Sequence, residues 1–272
     1  MSSSHAGRRL LVIAAGALTA LAMLAPAAQA ATPLPGYTQF TGCPTVEQDP
    51  SVETCLTSVI TGGHFKMGSK NVPITKPIAL TGGRKGNGDI VWNSEGGLDP
   101  VKLEIPGGIV GLTGLDWLVN LLSLEQLKVY AVTETVGTPN LDASLKLPIR
   151  VHLINPVLGN NCYVGSATEP ISLNLITGTT NPPPPNEPIT GQEFGFSYDE
   201  STNIISLPDA IFVDNSFAAP AAKGCVLNIG LIPVNIDAIV NLQSGLPSPA
   251  GTNETVQEAD AELTPPTTVY GP

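Results

Sequence analysis

In the segment KLPIRVHLIN, residues 146–155, Leu147, Ile149, Val151 and Leu153 alternate with Lys146, Pro148, Arg150 and His152. That period of two predicts a strand with one buried and one wet face. Pro148 lacks an N–H, so its expected place is the start of the strand or a sheet edge. VKLEI from Val101, KVYAVTET from Lys128, ISLNL from Ile171, EFGFSY from Glu193 and AIFVDNSF from Ala210 read the same way. Gly and Pro punctuate these runs roughly every ten residues, as in sandwiches and barrels. The predicted fold is mainly β, an antiparallel β-sandwich or barrel-like domain with one or two short helices.

The helices follow Asp116 (DWLVNLLS) and Asp237 (DAIVNLQS). Each Asp is placed as an N-cap, its carboxylate accepting from the first free N–H groups. Leu118, Val119, Leu121 and Leu122, and likewise Ile239, Val240 and Leu242, would then form short packing stripes. The first helix could continue to Leu127, and the second stops at Gly245 and Pro247. These two segments also match one another, as do ITGGHFKMGSKNVPIT from Ile60 and ITGTTNPPPPNEPIT from Ile176, in the same order. Duplicated halves at about 40–140 and 150–265 and chance matching in a biased composition both account for this. The cysteines of the two halves do not superpose.

The chain opens with Arg8 and Arg9, an uncharged run from Leu10 to Leu24, and Ala28-Gln29-Ala30. This reads as a cleavable secretory signal over 1–30, too short to span a bilayer, followed by one β-rich domain over 31–265 and a disordered tail at 266–272. The expected location is secreted or in the cell envelope, with no membrane insertion after cleavage. Removing Arg8 and Arg9 from the 12 basic residues leaves 10 against 23 acidic ones, a formal charge of −13. Such a surface argues against nucleic acid and anionic lipid as partners.

Cys43, Cys55, Cys162 and Cys225 are an even set in an exported chain, which favours two disulfides. Three pairings exist; Cys43 with Cys55 and Cys162 with Cys225 keep each pair within one half. The proline run TTNPPPPNEP, residues 179–188, falls inside the span the second pair closes. It therefore reads as a stiff loop within one domain, four prolines spanning only about 12 Å.

LPIRVHLINPVLGNNCYVGS, ISLNLITGTTNPPPPNEPITG, DNSFAAPAAKGC and GLPSPAGTN, with TGGHFKMGSKNVPITKPIALTGG upstream, resemble a family of exported proteins of unknown function from high-GC Gram-positive (actinobacterial) species. The resemblance implies one integral fold across the proline run and supplies no activity.

Candidate chemistry is sparse. No GxSxG is present, and only His64 and His152 follow the signal segment. Asp199 and Glu200 are adjacent, so a strand would point them to opposite faces, against a glycosidase pair. The glycine-rich stretch GGRKGNGD at 82–89 reads as a hairpin tip rather than an anion cradle. In EADAEL, Glu258, Asp260 and Glu262 would line one strand face roughly 6 to 7 Å apart. Such a row is a candidate calcium site or a solvated face. No other cofactor is expected. NET from Asn253 matches a glycosylation sequon without meaning in a bacterial chain. The favoured reading is a non-enzymatic exported β protein with a structural or binding role, its partner an envelope glycan, lipid or protein. A secreted hydrolase whose cleft gathers His152, Arg150 and acidic residues is the alternative.

Overall fold

Half-apolar strands hide their apolar faces by stacking in two layers, and the described residues form two large antiparallel sheets, with a two-stranded one of Val226–Leu227 and Val234–Asn235, without closing a barrel. The computed structural model describes residues 31–230 and 232–271; the expected signal segment 1–30 lies outside them. The longer strands are β1 (Val52–Met67), β2 (Lys70–Pro73), β3 (Ile78–Lys85), β4 (Tyr130–Thr135), β5 (Leu145–Ile154), β6 (Ile171–Leu175), β7 (Ile204–Asp214) and β8 (Glu254–Thr264). The first sheet runs Ser197–Asp199, β7, β8, β1, β3, Ile90–Val91, with β2 and Gly97–Leu98 pairing β1 and β3. The second runs Ala222–Lys223, Tyr163–Val164, β5, β4, Leu103–Glu104, and β6 and Asn140–Leu141 also pair β5. β8 is thus inserted between β1 and β7, so the first sheet draws on both ends of the chain. The halves 40–140 and 150–265 interleave here and do not stand as separate units.

β5 shows the cause most plainly. Leu147, Ile149, Val151 and Leu153 are buried, whereas the residues between them are partly exposed. Pro148 sits mid-strand, contrary to the expected start or edge. Its carbonyl accepts from Val136 just where β4 leaves the ladder, before Asn140 rejoins it, so the missing N–H falls in a gap between partners. The proline run crosses from β6 in one sheet to Ser197–Asp199 in the other. It is anchored as one loop: Thr180 N–H donates to Ile189, and Asn186 Nδ2 donates to the carbonyls of Asn215 and Asn253.

The helices are α1 (Gly108–Thr113), α2 (Leu124–Leu127), α3 (Asp237–Ser244) and α4 (Pro266–Tyr270). The segment after Asp116 forms only a 3₁₀ turn, Asp116–Asn120, and the chain restarts at Ser123, whose capping box with Gln126 opens α2. Neither Asp116 nor Asp237 is an N-cap. Both lie one residue inside the helix, and Asp237 Oδ1 instead accepts from Cys225 N–H at 2.6 Å. The expected disordered tail also differs, since its residues Pro266–Tyr270 form the helix α4. Pro266 and Val269 are buried, Val269 in one cluster with Phe40, and Tyr270 Oη donates to the Cys43 carbonyl at 2.6 Å.

Candidate apolar cavity and polar surface clusters

The hairpin between β1 and β2 must turn tightly beneath the C-terminal end of α3. Gly68, at φ +57°, provides that turn, and a Cβ there would meet the Ser244 carbonyl. Ser69 N–H donates to the same carbonyl at 2.9 Å. Below this junction the two sheets leave an apolar cavity of about 60 Å³, walled by Phe65, Val72, Leu103, Leu112, Val151 and Leu153 among others. A second space of about 40 Å³ lies beyond Phe65, Leu103 and Thr133, which line both.

Three polar side chains interrupt the apolar lining of the first cavity, Thr133 at its border with the second space and Lys70 and Ser244 at its helical end. Ser244 is 3% exposed, and its hydroxyl has no hydrogen-bond partner among the described residues. Lys70 Nζ donates to the Gly111 carbonyl at 2.6 Å. Burial pushes the Lys70 pKa down. Sequence reasoning missed Lys70 and Ser244, because neither belongs to a motif and they come from distant segments.

The outer face of the second sheet does gather His152, Arg150 and an acid. Arg150 Nε donates to Glu134 at 2.8 Å and its guanidinium lies 4.3 Å from the Tyr163 ring centre. His152 stacks on Tyr163, its Nδ1 lying 3.4 Å from Glu134 and its Nε2 3.1 Å from the Asn160 carbonyl. The cluster tiles a sheet face, and no hydroxyl or thiol bonds the imidazole among the described residues. Hydrolysis through an activated nucleophile requires such a neighbour. His64 is paired likewise, with Glu254 at 2.9 Å.

Cys43–Cys55 and Cys162–Cys225 are disulfides, the pairing read from the sequence. They mark an oxidising, extracellular type of environment. Residues 82–89 form the expected hairpin tip, Lys85 N–H donating to Asp89. Asp199 begins a turn, accepting from Ser201, whose hydroxyl and N–H hold its carboxyl below the usual range. Glu258, Asp260 and Glu262 do share the outer face of β8. They do not converge: Asp260 accepts from Asp209 N–H and Glu262 from Gln39 Nε2. Among the described residues no group of three His, Cys, Asp or Glu side chains could hold a metal ion. Asn253 is fully buried, with its side-chain amide committed to hydrogen bonds.

The helical end carries an excess of exposed apolar side chains. Leu118 and Val240 are buried as expected, but Trp117, Val119 and Leu121 are more than half exposed, and Leu124 and Leu242 reach 81% and 79%. Helices of one or two turns present only a residue or two to the core, Leu118 on the Asp116–Asn120 turn and Val240 on α3, which leaves the rest of each stripe outside. No helix among the described residues is long and apolar enough to cross a membrane. No family model, curated protein or solved structure matches this chain.

Proposed function

We propose that this chain is an exported, non-enzymatic β protein of the cell envelope or extracellular space that binds an apolar ligand between its sheets. The observation that carries this reading is the cavity above β1 and β5, because an unpartnered hydroxyl facing an apolar space is what a ligand with one polar end would satisfy. The leader-like first 30 residues, the two disulfides and the resemblance to exported actinobacterial proteins support the location. The exposed apolar side chains of the helical end support a binding role, since such surfaces recur at contacts with other molecules. The hydrolase alternative is the weaker one, because His64 and His152 each lie on a sheet face beside a carboxylate, with no hydroxyl or thiol bonded to the imidazole among the described residues.

Thermal unfolding of the oxidised chain with envelope glycans, peptides and aliphatic compounds tests this. A cavity ligand at a hundred times its dissociation constant adds about 2.7 kcal/mol, a rise of about 5 to 10 °C for a chain of this size. Ala131→Phe, which fills the cavity, should abolish that rise. A rise from glycans or peptides that survives Ala131→Phe would overturn the cavity as the site.

A further inference from the structure

We infer that the helical end of the cavity is a carboxylate site: a short aliphatic monocarboxylate binds with its tail between the sheets and its headgroup on Lys70 Nζ and Ser244 Oγ. This rests on the apolar-ligand reading and specifies its chemistry.

The headgroup follows from donor accounting. An ammonium has three N–H donors, and Lys70 directs one of them to Gly111. Among the described residues no carboxylate lies within ion-pair distance of Lys70, which lines the cavity. The Ser244 hydroxyl adds a buried donor without an acceptor. Two donor groups, one cationic, at the end of an apolar space call for an anionic acceptor with an apolar body. A neutral alcohol would leave the ammonium unpaired.

The tail follows from size. Benzene, with six carbons, fills an engineered cavity of about 150 Å³. At that ratio the 60 Å³ space takes a tail of about two to three carbons. Long acyl chains exceed it.

The test is calorimetric titration of the full oxidised chain with acetate, butyrate, hexanoate, decanoate and 1-butanol at constant ionic strength. Butyrate should bind most tightly, with hexanoate and 1-butanol weaker. Ser244→Ala should unfold at or above the parent temperature, since it removes an unpartnered hydroxyl, yet lose about tenfold or more in butyrate affinity. Lys70→Met should abolish the preference for butyrate over 1-butanol. Equal binding of butyrate and 1-butanol, or unchanged affinity in both variants, would overturn the headgroup assignment and leave the apolar-ligand reading standing. Tightest binding of hexanoate or decanoate would overturn the chain length. Absence of binding by every compound would overturn both readings.

Discussion

The side-chain oxygen of Asn253 accepts the backbone N–H of Gly68 at 2.9 Å, tying the entry of β8 to the hairpin that closes the cavity. The same oxygen accepts from the Ser248 hydroxyl, and Nδ2 donates to the Phe217 carbonyl. The backbone carbonyl of Asn253 takes Asn186 from the proline loop. Removing the amide strands the Gly68 and Ser248 donors and the Phe217 and Pro249 carbonyls around a fully buried position. Asn253→Ala is expected to cost about 3 to 5 kcal/mol, lowering the unfolding midpoint by about 10 °C or more. A fall of only a degree or two in a melting scan would show that the network contributes little.

Asp260 has a structural task that its neighbours in the acidic row lack. β7 shifts register against β8 between Leu207 and Ala210, and the extra residue Asp209 takes φ +61°. Its N–H, turned out of the ladder, is accepted by Asp260 Oδ1 at 2.9 Å. Asp260→Ala should therefore cost about 1.5 kcal/mol, the low end for a hydrogen bond to a charged group because this one is exposed, with Asp260→Asn in between. Glu258→Gln, on the same face, should be close to neutral. Urea unfolding of the three variants separates them, and equal losses for all three would refute the role of the bulge.

The acid limb of the stability curve should depend on Asp49. Its carboxylate is held at about 2, first by Lys85 and then by Ser51, against an ordinary value of 3.8. A depressed folded-state value means that the contribution is complete above the unfolded value and is lost as pH falls from there toward 2. The pair joins the loop inside the Cys43–Cys55 disulfide to the end of β3, at 2.8 Å. Melting temperatures of Asp49→Asn should match the parent most closely at pH 2 and fall below it near pH 5. A constant offset across that range would place the effect elsewhere.

How much of this could be read from the chain depends on the range over which each signal acts. The alternation of Leu147, Ile149, Val151 and Leu153 is a local consequence of burying one face, so β5 was legible, as was ISLNL for β6. The cysteine pairing was read from keeping each pair within one half of the chain, and the continuity across the proline run from its place inside the span that Cys162 and Cys225 close. EFGFSY contributes only Ser197–Asp199, because Glu193 to Phe196 run along β7 through isolated contacts such as Gln192 with Ile211. The acidic row was correctly placed on one face, but the partners that separate its members, Asp209 and Gln39, come from other segments. Lys70 and Ser244 were invisible for the same reason: a cavity is a property of many segments, and no spacing rule encodes a hydroxyl left without a partner.

The C-terminal helix tests that limit most directly, since PTTVY has neither length nor periodicity to announce it. It holds by contacts made elsewhere. Leu34 N–H donates to the Val269 carbonyl, Asn203 Nδ2 donates to Thr268, and Val269 itself is fully buried against the Phe40 cluster. Ending the chain after Pro265 removes that cover and exposes the Cys43–Cys55 loop. Loss of buried apolar surface on this scale costs about 3 kcal/mol or more, a fall of about 6 to 12 °C. Tyr270→Phe should cost only about 1 kcal/mol, because the Cys43 carbonyl keeps Asn93 as a donor. If α4 is the seal on this end of the sandwich, the truncated chain will also lose amide-exchange protection at Phe40 and Cys43 while β5 stays protected. Unchanged protection at those two amides, with the midpoint unmoved, would make the helix a passenger on a surface that is already closed.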